Sequence, residues 1–361
     1  MADGDLLPRS YREARAAFLE AAEAAGARIT SAVHPLRGID DEELAIDVAE
    51  HGPADADDVV VVVSGTHGVE GYLGSALQTQ HLRLLADGST GGGDGPGLVF
   101  IHALNPYGFS WVRRVNEDNV DLNRNFIDWT APLPVANVEY AEMADTFVPG
   151  DWSVETQERT LLEMAAKLEE VGAAQLQQIV SGGQYSHPTG VFYGGAKAVW
   201  SNDWLQGFLG GRLAGVRRAA IIDLHTGLGP WGHGELISSE KPDSEAYARQ
   251  TGWWGEVTSL HDGSSVSAEL VGDWLAALPS FVVGPEITGI AIEYGTVDSI
   301  TVLQSLRADA VLHATGDPIA PGAVAIRDQV RAAFLDDDPT WLATCADRYR
   351  SVVKATLAAL A

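Results

Sequence analysis

"DVVVVVSGTHGVEG", residues 58 to 71, decides the fold of this chain. Five consecutive valines are apolar on both faces of a strand, the pattern of a central strand covered by helices above and below. The run stops at Ser64. His67 and Glu70, both capable of metal or acid–base chemistry, follow three residues apart among glycines. A helix is expected from about Tyr72 to Ala86.

Working outward, "LAIDVAE" before this stretch and "LVFIHALN" after it read as further strands, the latter ending on Asn105-Pro106. The N-terminal segment reads as an amphipathic helix over 8–27. The glycine-rich "DGSTGGGDGPG" (87–97) reads as a flexible surface loop, and 155–180 as helical. "AAIIDLHTG" reads as a strand closed by His225; "GELISS", "SFVVG" and "GIAIEYG" are the remaining core candidates. Helices around 298–313, 321–335 and 339–359 finish the chain. Strands alternating with helices imply an α/β fold, a mixed and largely parallel sheet sandwiched between helices. No linker divides the chain, so one domain over 1–361 is expected.

In such a sheet, ligands bind outside the carboxyl ends of the strands. His67 and Glu70 lie just past the valines, His225 ends "AIIDL", and Glu293 lies within the apolar "IAIEYG". A three-residue gap brings His67 and Glu70 side by side if the chain turns helically there. Two histidines and one carboxylate with an open fourth position make up a catalytic zinc site. Glu293 sits in an apolar strand, where an unpaired carboxylate costs several kcal/mol unless neutralised or paired. The segment "NPYGFSWVRRVNEDNVDLNRNF" (105–126) adds Arg113, Arg114, Asn123 and Arg124. Such groups suit a developing oxyanion or a substrate carboxylate; the plainer reading is a surface loop with solvated charges. Asp223 lies two residues before His225 and so projects to the same side of a strand, either as the acceptor that orients the imidazole or as part of a structural ion pair. The loop "GGQYSHPTGVFYGGAKAVW" (182–200) is either a pocket wall or a long turn, and His187 within it reads as a loop residue.

"GTHGVEG", "NPYGF…RRVNEDNVDLNRNF", "DLHTG" and "EYGT" together resemble, in order and character, the zinc carboxypeptidase superfamily that also contains aspartoacylase and succinylglutamate desuccinylase. The chain most resembles the carboxypeptidase-like branch known as DUF2817, over roughly residues 58–300. The resemblance implies the carboxypeptidase-like α/β/α sandwich and one Zn2+ per chain held by His67, Glu70 and His225. It implies Glu293 as general base, Arg114 as the group polarising the scissile carbonyl with Arg113 as the alternative, and Asn123 and Arg124 as holders of a substrate carboxylate. The digestive carboxypeptidases close over substrate with a tyrosine from the loop before the catalytic Glu. Here no tyrosine occurs between Asp262 and Ile292.

The implied activity is hydrolysis of a peptide or amide bond in a small molecule or short peptide bearing a carboxylate. An aspartoacylase-like deacylase and a non-catalytic binding protein retaining the fold are the alternatives. Composition narrows the partners. A net charge of -27, from 23 Lys+Arg against 50 Asp+Glu, repels phosphate backbones and anionic headgroups, so neither nucleic acid nor membrane is expected. The single cysteine, Cys345, excludes an internal disulfide and reads as a buried thiol. The N-terminal residues lack the basic start and apolar stretch of a secretory signal, and "VVVVV" is too short to cross a bilayer, so a cytoplasmic location is expected.

Overall fold

The computed structural model describes residues 7–89 and 95–361. Of the expected glycine-rich loop, residues 90–94 lie outside the described residues. The strands are β1 (Arg28–Arg37), β2 (Glu43–His51), β3 (Asp58–Ser64), β4 (Gly97–His102), β5 (Arg218–Trp231), β6 (Gly234–Ser238), β7 (Thr258–Ser259) and β8 (Glu286–Gly295). They form one mixed sheet in the order β1-β2-β4-β3-β5-β8-β6-β7. The inner four, β4, β3, β5 and β8, are mutually parallel. β2 and β6 run antiparallel on either side of them.

The valine run occupies β3, near the middle of that sheet. Val60 and Val62 pack into one apolar core, and Val59, Val61 and Val63 into another. Helices Tyr11–Ala24, Gly71–Ala86 and the C-terminal helices contribute to the first core; helices Trp200–Arg212 and Trp274–Phe281 contribute to the second. Each buried valine is worth roughly 1.5–3 kcal/mol relative to exposure, which explains why both faces must be covered.

Several expectations change. β1 was not expected, because its burial is scattered along an edge and shows no alternation. The N-terminal helix is shorter than 8–27. The helical stretch 155–180 breaks at Gly172, whose φ of 82° ends helix Val154–Val171 and opens Ala173–Ser181. "SFVVG" is not a strand. The Asp273 side chain accepts from the N–H groups of Leu275 and Ala276 and starts a helix that takes in Ser280 and Phe281. β5 does not close at His225 but continues to Trp231. Cys345 is buried in helix Pro339–Leu360, and burial pushes its thiol up. No helix among the described residues is long and apolar enough to cross a membrane.

Two buried histidines outside the His67, Glu70 and His225 cluster carry a stability prediction. His81 hydrogen-bonds Tyr349 at 2.8 Å and His102 hydrogen-bonds Ser75 at 2.9 Å; burial pushes both down to about 4. The unfolded chain takes up these protons near its ordinary value of about 6.5, so it binds more protons than the folded chain between about 6.5 and 4. Stability is therefore lost as pH falls through that window and this contribution levels off below it. The thermal midpoint should drop by several degrees across the window, and a His81→Gln, His102→Gln double variant should show a shallower slope.

Candidate metal centre

The turn after β3 is pressed onto the arginine-bearing segment. A Cβ on Gly68 would lie 2.0 Å from the carbonyl carbon of Gly108, so only glycine permits the approach. Gly68 N–H and Val69 N–H donate to the carbonyls of Arg114 and Arg113 at 3.1 and 2.8 Å. His67 and Glu70 thereby meet a segment more than forty residues further along the chain. His225 comes from β5 and Glu293 from β8, at the same register position of adjacent parallel strands.

His67, Glu70 and His225 are all buried and offer ligand atoms within 4.8 Å of one another. His67 Nδ1 lies 3.0 Å from Glu70 Oε1, His225 Nδ1 lies 3.0 Å from Glu70 Oε2, and the two Nδ1 atoms are 3.2 Å apart. The distal nitrogens are taken: His67 Nε2 faces Asp121 Oδ1 at 3.1 Å, and His225 Nε2 faces Asp223 Oδ2 at 2.6 Å. Carboxylates on the far nitrogens leave the near ones to meet a cation, the usual arrangement around metal-bound histidine. Thr66 and Trp274 donate to Asp223 and lock it in turn. Burial opposes the charges here but is outweighed. Glu70 is held below the usual carboxylate range by His67 and His225, and His225 is held well above its ordinary value by Asp223 and Glu70.

The adjacent arginines point to different places. Arg114 donates from Nε to Asp121 and from Nη1 to Glu70, each at 3.0 Å, and lines the cavity along with His67 and His225. Arg113 instead bonds Asp309 at 2.9 Å and Asn119 at 3.0 Å, and is not part of the cavity lining. Asn123 and Arg124 do line it. Asn123 Oδ1 is buried without a hydrogen-bond partner. Arg124 is buried and donates to the carbonyls of Ser181 and Asn123; among the described residues it forms no ion pair with a carboxylate. His187 bonds Ser186 and does not line the cavity.

Glu293 also lines the cavity. Its Oε1 accepts the Leu228 N–H at 2.9 Å, and burial, helped by the charge on Glu70, pushes its carboxyl up to about 7. A carboxylate titrating there can both take and give a proton at neutral pH.

Two site residues escaped the sequence reading. Asp121 joins His67 to Arg114; burial would raise its carboxyl, but Arg114, His67 and Arg124 hold it well below the ordinary range. Its only signal was an acidic residue two positions before Asn123. Phe192, from the 182–200 loop, lies under both cations, with its ring 5.3 Å from the Arg114 guanidinium carbon and 5.5 Å from that of Arg124. It holds a left-handed φ of 55° to do so. No tyrosine lines the cavity among the described residues.

The family described as "Protein of unknown function (DUF2817)" matches residues 8–348. No curated protein matches the chain in sequence. Among solved structures, carboxypeptidase A from Helicoverpa armigera is similar at a TM-score of 0.52 and 11% identity, covering 92% of this chain and 75% of that one. It shares the fold. Bovine thrombin-activatable fibrinolysis inhibitor matches at a TM-score of 0.46 and 12% identity over 97% of this chain and 99% of that one. A succinylglutamate desuccinylase from Chromobacterium violaceum matches more loosely, at 0.39 and 16% identity over 84% and 74%.

Proposed function

The chain belongs to the DUF2817 family, and with this site in view we propose that it is a zinc-dependent hydrolase cleaving a peptide or amide bond in a small, carboxylate-bearing substrate. One observation carries the reading: two imidazole nitrogens and a carboxylate converge on one point in a cavity that Glu293 and Arg114 also line. That donor set, with room left for a water or substrate, suits catalytic zinc. His67, Glu70 and His225 would hold the ion, with Asp121 and Asp223 orienting the two rings. A zinc ion in such a site lowers the pKa of water and polarises carbonyl oxygens.

The chain's own groups do the rest. Glu293 takes the proton of the attacking water and hands it to the departing amine. Arg114 has Nε and Nη1 committed to Asp121 and Glu70, and its Nη2 donors would stabilise the oxygen that becomes negative. Arg124 and Asn123 hold the substrate carboxylate. The lining of Phe192 and aliphatic side chains keeps water out of the contact between that anion and Arg124.

The test is metal analysis joined to a substrate panel. The purified protein should carry about one zinc per chain and turn over either a chromogenic peptide or an N-acyl amino acid, which separates carboxypeptidase-like from deacylase-like action. His225→Ala should lose the metal. Asp121→Asn should weaken its binding roughly 10- to 100-fold, as loss of a partner to a metal-bound histidine usually does. A metal-loaded protein inert on both classes would favour a binding protein, and full zinc occupancy in His225→Ala would remove His225 from the site.

A further inference from the structure

The cavity around the candidate metal centre has a volume of about 680 Å³, and most of its lining is apolar. Volumes of this size accept drug-sized ligands. A carboxylate and a scissile amide occupy only part of it. Its charged groups include Arg124, Arg114 and Glu293, with Asp273 and Asp298 also in the lining. Around Arg124 the cavity is closed by the end of helix Ala173–Ser181, whose Ser181 carbonyl accepts from Arg124 Nε at 3.1 Å.

A second apolar stretch, bordered by Asp298 and Ser299, lines the cavity with Glu293. Leu228, whose N–H is bonded to Glu293, and Phe334 both line it, and helix Ser299–Thr315 adds Ile300, Leu303 and Leu306. A Cβ on Gly227 would lie 3.1 Å from the Phe334 ring and 3.6 Å from Glu293 Oε1, so ring and carboxylate face the same short piece of backbone. The wall is fixed. Thr296 Oγ1 lies 2.6 Å from the carbonyl of Ala333 and 2.9 Å from that of Gly227, tying the residue before Phe334 to β5.

A substrate whose carboxylate is held at Arg124 as proposed above would place its scissile amide at His67, Glu70 and His225 and its acyl half beyond them, toward Glu293. We propose that the Phe334–Leu303 wall receives an apolar acyl group, so that the substrate is an amino acid acylated by a hydrophobic group. This rests on the hydrolase reading above. The amide C–N bond breaks, the hydroxyl of water joins the carbonyl carbon, the proton ends on the amine, and the products are an apolar carboxylic acid and an amino acid. Such an acyl group has two sources, an alkanoyl chain or an apolar residue preceding the scissile bond.

The zinc-loaded protein is assayed with acetyl-, hexanoyl- and decanoyl-phenylalanine and with the dipeptides Gly-Phe and Leu-Phe. Binding of decanoyl- and acetyl-phenylalanine to the metal-free protein is measured by calorimetry. Burial of each methylene should raise kcat/KM roughly fourfold, hence ~10²-fold from acetyl to hexanoyl. The metal-free protein should favour the decanoyl ligand in the same direction. Leu303→Ser, and Ile300→Ser at an exposed position that folding tolerates, should each shrink the decanoyl-to-acetyl ratio. Gain in the alkanoyl series identifies the chain source, and gain confined to Leu-Phe over Gly-Phe identifies the peptide source; both support the wall. Flat response in both series and in calorimetry overturns it. Chain-length-dependent binding without any turnover would keep the wall and sink the hydrolase reading instead.

Discussion

Replacing Glu293 by glutamine should leave the chain folded and able to hold its metal, while turnover falls by at least ~10²-fold, the usual cost of a lost general base. Glutamine keeps the shape, and its Oε1 can still accept the Leu228 N–H now bonded at 2.9 Å. What it removes is a proton-accepting carboxylate at the wall of the metal site. Stability supplies a second readout. In the metal-free chain Glu293 titrates at about 7, against an ordinary value near 4.5. The folded state then binds more protons than the unfolded one between those values, so stability falls as pH rises through that window. Glu293→Gln abolishes this loss, and above pH 7 the metal-free variant should melt no lower than the parent. A catalytic carboxylate kept at the expense of stability shows both effects together. Near-normal turnover in the variant would mean that another group activates the water.

Arg124→Ala should lose about 2 to 4 kcal/mol of kcat/KM on substrates with a free carboxylate, as expected when one partner of a desolvated charged contact is deleted. On matched amidated substrates it should lose far less. The structural reason is that Arg124 is a buried cation without a carboxylate partner among the described residues. Its donors meet backbone carbonyls, and burial holds its guanidinium below its ordinary value despite Asp121 nearby. Beside the proposed zinc, such a cation would be stabilised by an anion arriving with the proposed substrate. Comparing acid and amide pairs in parent and variant separates recognition from architecture. Arg124 also braces Ser181, and a Cβ on Gly272 would lie only 2.4 Å from the Arg124 carbonyl oxygen. An equal loss on both kinds of substrate would assign the residue to that bracing and end the carboxylate reading.

Much of this protein is determined locally by its sequence. Five valines without alternation can only be covered on both faces, and β3 is buried throughout. Strand after helix after strand then gives parallel pairing, and parallel pairing gathers strand ends on one edge, where His67, His225 and Glu293 were expected. Asp223 and His225 share a face because strand side chains alternate with period two. Where local pattern was weak, the reading failed. β1 is an edge strand without alternation, and "SFVVG" is apolar enough for a strand but follows an aspartate that caps a helix.

Only the tertiary structure decided between Arg113 and Arg114. They are neighbours in sequence, yet one pairs with Asp309, 196 residues away, and the other with Glu70, 44 residues away in the opposite direction. Asp121 became part of the site for the same reason, since an aspartate in a charged loop has no identifiable partner until the loop is packed. Phe192 and Phe334 likewise read as ordinary apolar residues until long-range contacts set them against Arg114 and Arg124 or beside Glu293. Periodicity and strand ends follow from bonds a few residues long and can be read from the chain. Which charges meet, and which apolar groups wall the space between them, depends on close packing across hundreds of residues, where a contact of three or four ångströms is made or lost by the turn of a single side chain.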